Sequence, residues 1–261
     1  TRTGRQEIVL GNQFQFGNNE WFNGFAFDGT RWDYQALDWS LTALLIKLHS
    51  VDGDEDQLTS YFNSHDDDAL FALYLEIPIA DEFNIDAYWI YVNGHGGASD
   101  NGAGSSIGSL GNFVGSPRND PALTATAGSA YFHTVGARFH GLLAGIADGF
   151  DWNVEAAYQF GEQNNRFGSD SDIGAGTVEL ELGLTLDAEN AFRIFARGLY
   201  AAGPSDDELA YTPLYPNRHK NDGYRARYGL WDLMPMTNVW SAQLGLQFDP
   251  AADWSMGLTG I

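Results

Sequence analysis

From Thr177 to Asp187 the chain reads TVELELGLTLD, with an aliphatic side chain at every second position: Val178, Leu180, Leu182, Leu184 and Leu186. Between them stand Thr177, Glu179, Glu181, Gly183, Thr185 and Asp187. Side chains alternate across a β-strand, so a period of two sets an apolar phase on one face and water on the other. A strand needs about 9–11 residues to cross a bilayer at a tilt, and this run is long enough. A half-buried strand of a soluble sandwich has the same texture, so the stretch alone leaves both architectures open.

The pattern recurs along the chain. In DWNVEAAYQFG, Trp152, Val154, Ala156, Tyr158 and Phe160 share a face, and Asn153, Glu155, Ala157 and Gln159 the other. In VWSAQLGLQFD, Trp240, Ala242, Leu244, Leu246 and Phe248 oppose Ser241, Gln243, Gly245 and Gln247. Ile194, Ala196 and Tyr200 oppose Arg193 and Arg197, and Val135, Ala137, Phe139 and Leu143 oppose Thr134, Arg138 and His140. RWDYQALD, WSLTALLIKLH, ALFALYLEIPI, FNIDAYWIYV and WSMGLTGI are less regular versions. With the opening GRQEIVL, about eleven strands are expected and no amphipathic helix.

The connections separate the architectures. Short ones are expected near Asp38, Ala80–Glu82, Gly145–Gly149, Ala188–Ala191 and Pro250–Asp253, and long ones at 11–23, 50–67, 96–129, 163–175 and 204–237. Short and long alternate without exception. A meander with tight turns at one end and long polar loops at the other is the layout of an outer-membrane barrel, and a Greek-key sandwich does not sort its loops in this way. Trp39, Trp152 and Trp254 each follow a short turn. Three indoles at one relative depth match an interfacial girdle, where the ring is buried and the N–H stays wet. The expected fold is therefore all-β: a transmembrane antiparallel up-and-down barrel of 14–18 strands in the full protein, about eleven of them present here.

Composition removes other classes. Thirteen Lys and Arg against 35 Asp and Glu give a formal charge of −22, which lacks the basic footprint that nucleic-acid binding requires. There is no cysteine, so disulfides, thiol nucleophiles and thiolate zinc sites are excluded. No apolar run approaches the roughly twenty residues of a membrane helix. The first residues, TRTGRQEIVL, already read as strand and carry no signal peptide. Residues 1–261 are therefore expected to form one barrel domain that lacks its first strands, and the stop at Ile261 rather than at an aromatic residue leaves its last strand open.

Two blocks carry a family likeness. GRQEIVLGNQ (4–13) is followed by FDGTRWDY (27–34); LYPNRHK (214–220) is followed by YGLWDL (228–233) and Asn238. With their spacing of about two hundred residues, they resemble the bacterial alginate export family of large outer-membrane β-barrels. The resemblance covers most of the chain. It implies a monomeric pore for polysaccharide secretion, or a generic porin sharing the domain, with outer-membrane lipid and lipopolysaccharide as surroundings. It also implies a strongly basic lumen for polyuronate. The lumen positions here are mixed instead: Arg31, Asp33, Lys47, Glu76, Arg138, His140, Glu155, Glu179, Glu181, Arg193 and Arg197. Architecture and channel role carry over; the substrate does not.

Arg31, Asp33, Arg138, His140, Glu155, Glu179, Glu181, Arg193 and Arg197 are the expected pore-lining residues. In a regular 177–202 hairpin Glu181 falls near Arg197, and Asp187 or Thr185 near Arg193. Such pairs act either as a transverse field on a charged solute or as a cross-strand ladder that stiffens the wall. The loop 204–237 has the densest basic cluster, interleaved with aromatics. Tyr215, Arg218, His219, Lys220, Arg225, Arg227 and Trp231 are expected to contact solute there if the loop folds into the pore, since sugar faces stack on rings while carboxylates or hydroxyls meet Arg. The acidic runs DGDED (52–56), HDDD (65–68), DSD (170–172) and DDE (206–208) are oxygen-rich, a chemistry that divalent cations favour, yet none has EF-hand spacing. They read as a solvated rim. No cofactor or resident metal is expected. With no HExxH and no strand-to-helix nucleophile elbow, no catalytic residue is assigned. The expected function is passage of polysaccharide or small hydrophilic solutes through a charged, hydrated lumen. Two alternatives are a surface structural or adhesive barrel without an open pore, and a soluble all-β carbohydrate-binding protein.

Overall fold

The period of two builds one meander. The structure, a computed structural model, describes residues 1–17, 26–49, 68–94, 127–143, 149–165, 170–187, 192–205, 208–214, 236–251 and 254–260. Its strands are β1 (Arg2–Gln6), β2 (Phe27–Gln35), β3 (Ser40–His49), β4 (Asp68–Ala80), β5 (Phe83–Gly94), β6 (Ala127–Leu142), β7 (Phe150–Asn165), β8 (Asp170–Asp187), β9 (Phe192–Ala201), β10 (Glu208–Leu209), β11 (Val239–Ala251) and β12 (Trp254–Gly260). They form a single sheet in the order β1 to β9, then β11 and β12, each strand antiparallel to its neighbour. The two-residue β10 lies off this path, parallel to β8. Within the described residues β1 and β12 are not paired with each other. No helix among those residues is long and apolar enough to cross a membrane.

Burial sorts the two faces as the alternation requires. Val178, Leu180 and Leu182 of β8 are each about two-fifths exposed, at 38%, 41% and 39%, and Trp240 of β11 reaches 77%. Between them Thr177, Glu179 and Glu181 are buried. The same inversion runs through Trp32, Leu73, Trp89, Val135, Phe139, Tyr158, Ile194 and Leu246, all exposed. Soluble monomers rarely present contiguous apolar patches beyond a few hundred Å². A face this apolar along whole strands requires hydrocarbon as its solvent.

Aromatic rings bracket that face. Near the short turns, Tyr34 lies 5.2 Å from Trp39, and Phe83 lies 6.1 Å from Trp152. Near the other end, His133 stacks at 4.7 Å on Tyr91 and 5.0 Å on Phe160, while Trp89 Nε1 donates to His133 Nδ1 at 3.1 Å. Trp152 and Phe160 are eight residues apart on β7, about 27 Å along the strand at ~3.4 Å per residue. At a tilt of about 40° this is roughly 20 Å along the membrane normal, close to the ~25 Å apolar band of such barrels.

Three expectations are corrected. GRQEIVL was expected to be one strand, yet pairing stops at Gln6, after which Ile8 and Leu10 are buried inside the sheet. The long connection expected at 163–175 is only residues 166–169, because β7 and β8 stay paired from Phe150↔Leu184 to Asn164↔Asp170. Its polar, glycine-rich sequence resembles a loop, but Ile173, Ala175 and Thr177 still alternate into the interior. Lys47, expected in the lumen, pairs with Asp28 and Ala69 next to the inward-facing Ile46, so register places it on the outer face.

The interior is filled at its long-loop end. Ile8, Leu10, Phe14 and Phe16 from the stretch after β1, with Tyr211, Leu214 and Met236 from the β9–β11 connection, pack on Leu44, Ile46, Leu70, Ile90, Val92, Phe132, Ala175 and Leu199 of the wall. One short segment thus touches strands far apart in the sheet, which wraps around it.

Candidate functional site: a charged belt beneath an inserted turn

The stretch 7–17 enters the interior as a turn. Gln13 N–H donates to Leu10 C=O at 2.9 Å, and Leu10 N–H to Phe16 C=O at 3.1 Å. Gly11 has φ +50°, a conformation that side chains with a Cβ disfavour. A Cβ there would also lie 1.8 Å from Tyr74 Oη, so the tip fits only because residue 11 has no side chain.

Polar groups stitch this turn to the wall. Asn12 Nδ2 donates to Glu179 Oε1 of β8 at 2.8 Å. Gln15 Nε2 donates to Tyr211 Oη at 2.8 Å and to Tyr88 Oη at 3.3 Å, while Tyr88 Oη donates to Glu155 Oε1 at 3.1 Å. Gln159 grips the second inserted segment as a strand would. Its Nε2 donates to Thr212 C=O at 2.7 Å, and its Oε1 accepts from Thr212 N–H at 2.8 Å.

Below the turn, toward the short connections, the inner face carries a belt of charge across the sheet. Arg31 Nε donates to Asp33 Oδ1 at 2.6 Å on β2, and Ser40 Oγ to Glu76 Oε2 at 2.7 Å between β3 and β4. Asp86 on β5 accepts from Tyr74 Oη at 2.9 Å and Arg138 Nη1 at 3.0 Å, with His140 Nε2 3.6 Å away. Arg138 Nε also donates to Asn153 Oδ1 at 2.5 Å. Arg193 spans three strands: Nε and Nη2 donate to both oxygens of Asp151 at 3.0 and 2.6 Å, and Nη2 to Glu181 Oε1 at 3.0 Å. Arg197 donates from Nε to Glu181 Oε2 at 2.8 Å, and from Nη1 to Gln243 Oε1 at 3.2 Å. Phe195 lies between the two guanidiniums, 5.5 and 5.6 Å from them.

All nine expected pore-lining residues lie on this inner face by register. The belt joins Arg138 with His140 through Asp86, and Glu181 with Arg193 and Arg197. Glu155 and Glu179 sit higher, opposite one another across β7 and β8 and buried beneath the inserted turn; Arg31 and Asp33 lie apart on β2. The expected Glu181–Arg197 register is present, whereas Arg193, opposite Thr185, reaches across to Asp151. Tyr215, Arg218, His219, Lys220, Arg225, Arg227 and Trp231 lie outside the described residues, as do the acidic runs 52–56, 65–67 and 206–207. Among the described residues no cluster is composed to hold a metal ion. The sequence did not single out Asn12 and Gln15, because an inserted turn shows no periodicity of its own, nor the roles of Tyr88 and Gln159, whose partners lie on the inserted segments. Asp86 and Asp151 were readable as polar-face residues of strands, and only register shows which arginines they meet.

Between the turn and the belt lies an open cavity of about 590 Å³, lined by Asn12, Gln13, Asn84, Arg138, His140, Asn153, Asp151, Glu181 and Arg193 among others. It faces the short-turn end.

An aliphatic and aromatic outer face backed by charged, amide-rich inner positions is the wall of a transmembrane β-barrel. A family model described as alginate export matches residues 1–259, and the chain belongs to that family of outer-membrane β-barrels. It is accordingly an outer-membrane protein of a transport family. No curated protein matches the chain. In barrels of this kind short turns face the periplasm, which places the cavity on the periplasmic side.

Proposed function

We propose that the chain forms the wall of an outer-membrane channel that passes polysaccharide or small hydrophilic solutes through a charged, hydrated lumen. The observation that carries this reading is the polar cavity between the inserted turn and the belt, on the inner side of a wall whose outer face is apolar. The turn 7–17, with Tyr211 and Leu214 of the β9–β11 connection, acts as a constriction, since these residues fill the interior at the long-loop end. The belt both stiffens the wall and sets the field that a passing solute meets. Recording ion current from the purified protein in planar bilayers tests this, with discrete conductance steps expected. A membrane that stays silent with correctly folded protein overturns it.

A second reading has its own support. Glu179 and Arg197 are 0% and 3% exposed, so at their level the inner face is packed rather than open to water. That favours a barrel that anchors surface loops without an open pore. The same recording separates the two, because an anchor gives no open-channel current.

A further inference from the structure

Charge on the cavity wall identifies what the cavity can accept. Its lining includes three carboxylates, Asp81, Asp151 and Glu181, against two guanidiniums, Arg138 and Arg193, and the imidazole of His140. Asp86, directly behind, contributes a fourth carboxylate in contact with Arg138. Both guanidiniums are already bound to carboxylates, Arg138 to Asp86 and Arg193 to Asp151 and Glu181. The imbalance extends over the inner face. By register Asp33, Glu76, Asp86, Asp151, Glu155, Glu179 and Glu181 point inward with Arg2, Arg31, Arg138, Arg193 and Arg197. Among the described residues seven negative groups thus face five positive ones, before His140 is counted. A polyuronate has one carboxylate per sugar. To enter it would have to displace carboxylates from arginines that are already paired, leaving partly or fully buried carboxylates uncompensated.

The remaining groups suit hydroxyls. Asn12 and Gln13 hang from the inserted turn, and Asn84 and Asn153 line the wall. Amides offer a donor and an acceptor side by side, and carboxylate oxygens accept from two neighbouring hydroxyls. The volume lies within the ~300–1,000 Å³ of small-molecule sites. We infer that this periplasmic-side cavity is a binding subsite for an uncharged, hydroxyl-rich saccharide and discriminates against polyuronate. The inference rests on the channel reading above and names the solute class that enters the channel from this side.

The chain has no cysteine, so Thr185→Cys at the cavity edge gives a unique attachment point for an environment-sensitive fluorophore. Titration of the labelled, detergent-solubilised protein with a neutral glucan hexamer is expected to saturate. A hexauronate of equal length should require at least tenfold more, with the gap narrowing as salt screens the repulsion. Adding Asn84→Ala with Asn153→Ala should weaken the glucan response at least threefold. Equal or tighter uronate binding, no glucan response, or indifference to the double variant each overturns the inference. Ion current from the unlabelled protein is read separately: silence there with intact glucan binding counts against the channel reading and leaves the subsite standing.

Discussion

Asn12 and Glu179 stand 167 positions apart in sequence, yet Asn12 Nδ2 donates to Glu179 Oε1 at 2.8 Å. The contact spans the interior, from the tip of the inserted turn to the middle of β8. Glu179 is completely buried and lies directly across from Glu155 on β7. Like charges facing each other on adjacent strands destabilise a sheet. Here each carboxylate has its own donor, Asn12 for Glu179 and Tyr88 for Glu155. The inserted turn therefore does more than fill space, since it supplies one of the groups that make the acidic pair tolerable.

Asn12→Asp replaces that donor with a third carboxylate. It should cost about 1–3 kcal/mol, the usual penalty for leaving a buried polar partner unsatisfied, with repulsion in addition. Asn12→Ser, which keeps a donor, should cost less. Urea unfolding of the two variants in detergent, followed by tryptophan fluorescence, measures the difference. A loosened turn should also raise single-channel conductance. An Asn12→Asp protein as stable as the parent would show that the contact does not hold the turn.

Gly11→Ala is expected to expel the turn from the interior. The new Cβ would sit 1.8 Å from Tyr74 Oη on a backbone at φ +50°. Relief through Tyr74→Ala should be partial, because it removes the clash but not the backbone strain, and itself deletes the Tyr74–Asp86 hydrogen bond. Limited proteolysis reads the outcome, with cleavage within 7–17 appearing in Gly11→Ala, reduced in the double variant and absent from the parent.

The Glu181–Arg197 pair permits a test of coupling. Arg197 is 3% exposed and bound to Glu181 through Nε and Nη2, so Arg197→Met takes from the buried Glu181 carboxylate the guanidinium that binds it twice and leaves it with the Arg193 contact. A loss of about 3–5 kcal/mol is expected, as for other broken buried pairs. Adding Glu181→Gln should recover much of it, since removing both charges of a buried pair is often near neutral. A double-mutant cycle of unfolding free energies gives the coupling directly. Strict additivity would mean that the two side chains do not interact as described.

The wall was legible in the sequence because lipid and water impose opposite demands on successive residues. Val178, Leu180 and Leu182 announce the outer face wherever β8 sits in the sheet. What fills the lumen was not legible. Ile8 and Leu10 continue the alternation of GRQEIVL and so read as more strand, although pairing has already stopped at Gln6. Arg193 meeting Asp151 depends on a register across three strands, which no single segment encodes. Gln159 gripping Thr212 joins a strand to a connection that carries no periodic signal.

Depth along the outer face sets the last expectation. On β8, Leu182 pairs with Trp152 of the short-turn girdle, and Gly174 with Phe160 of the opposite one. Val178, paired with Ala156, is midway between these rows, while Leu186 lies beyond the short-turn girdle. A guanidinium at the bilayer midplane costs about 2–4 kcal/mol, falling to about 0–1 near the interface. Val178→Arg should therefore lower the folding free energy into lipid vesicles by the larger amount and Leu186→Arg by the smaller. In a soluble protein both positions, already exposed to water, would tolerate arginine alike. Reversible urea titration into vesicles distinguishes these cases. Equal costs at the two positions would remove the membrane from the account of the outer face, and with it the reason that this strand alternates at all.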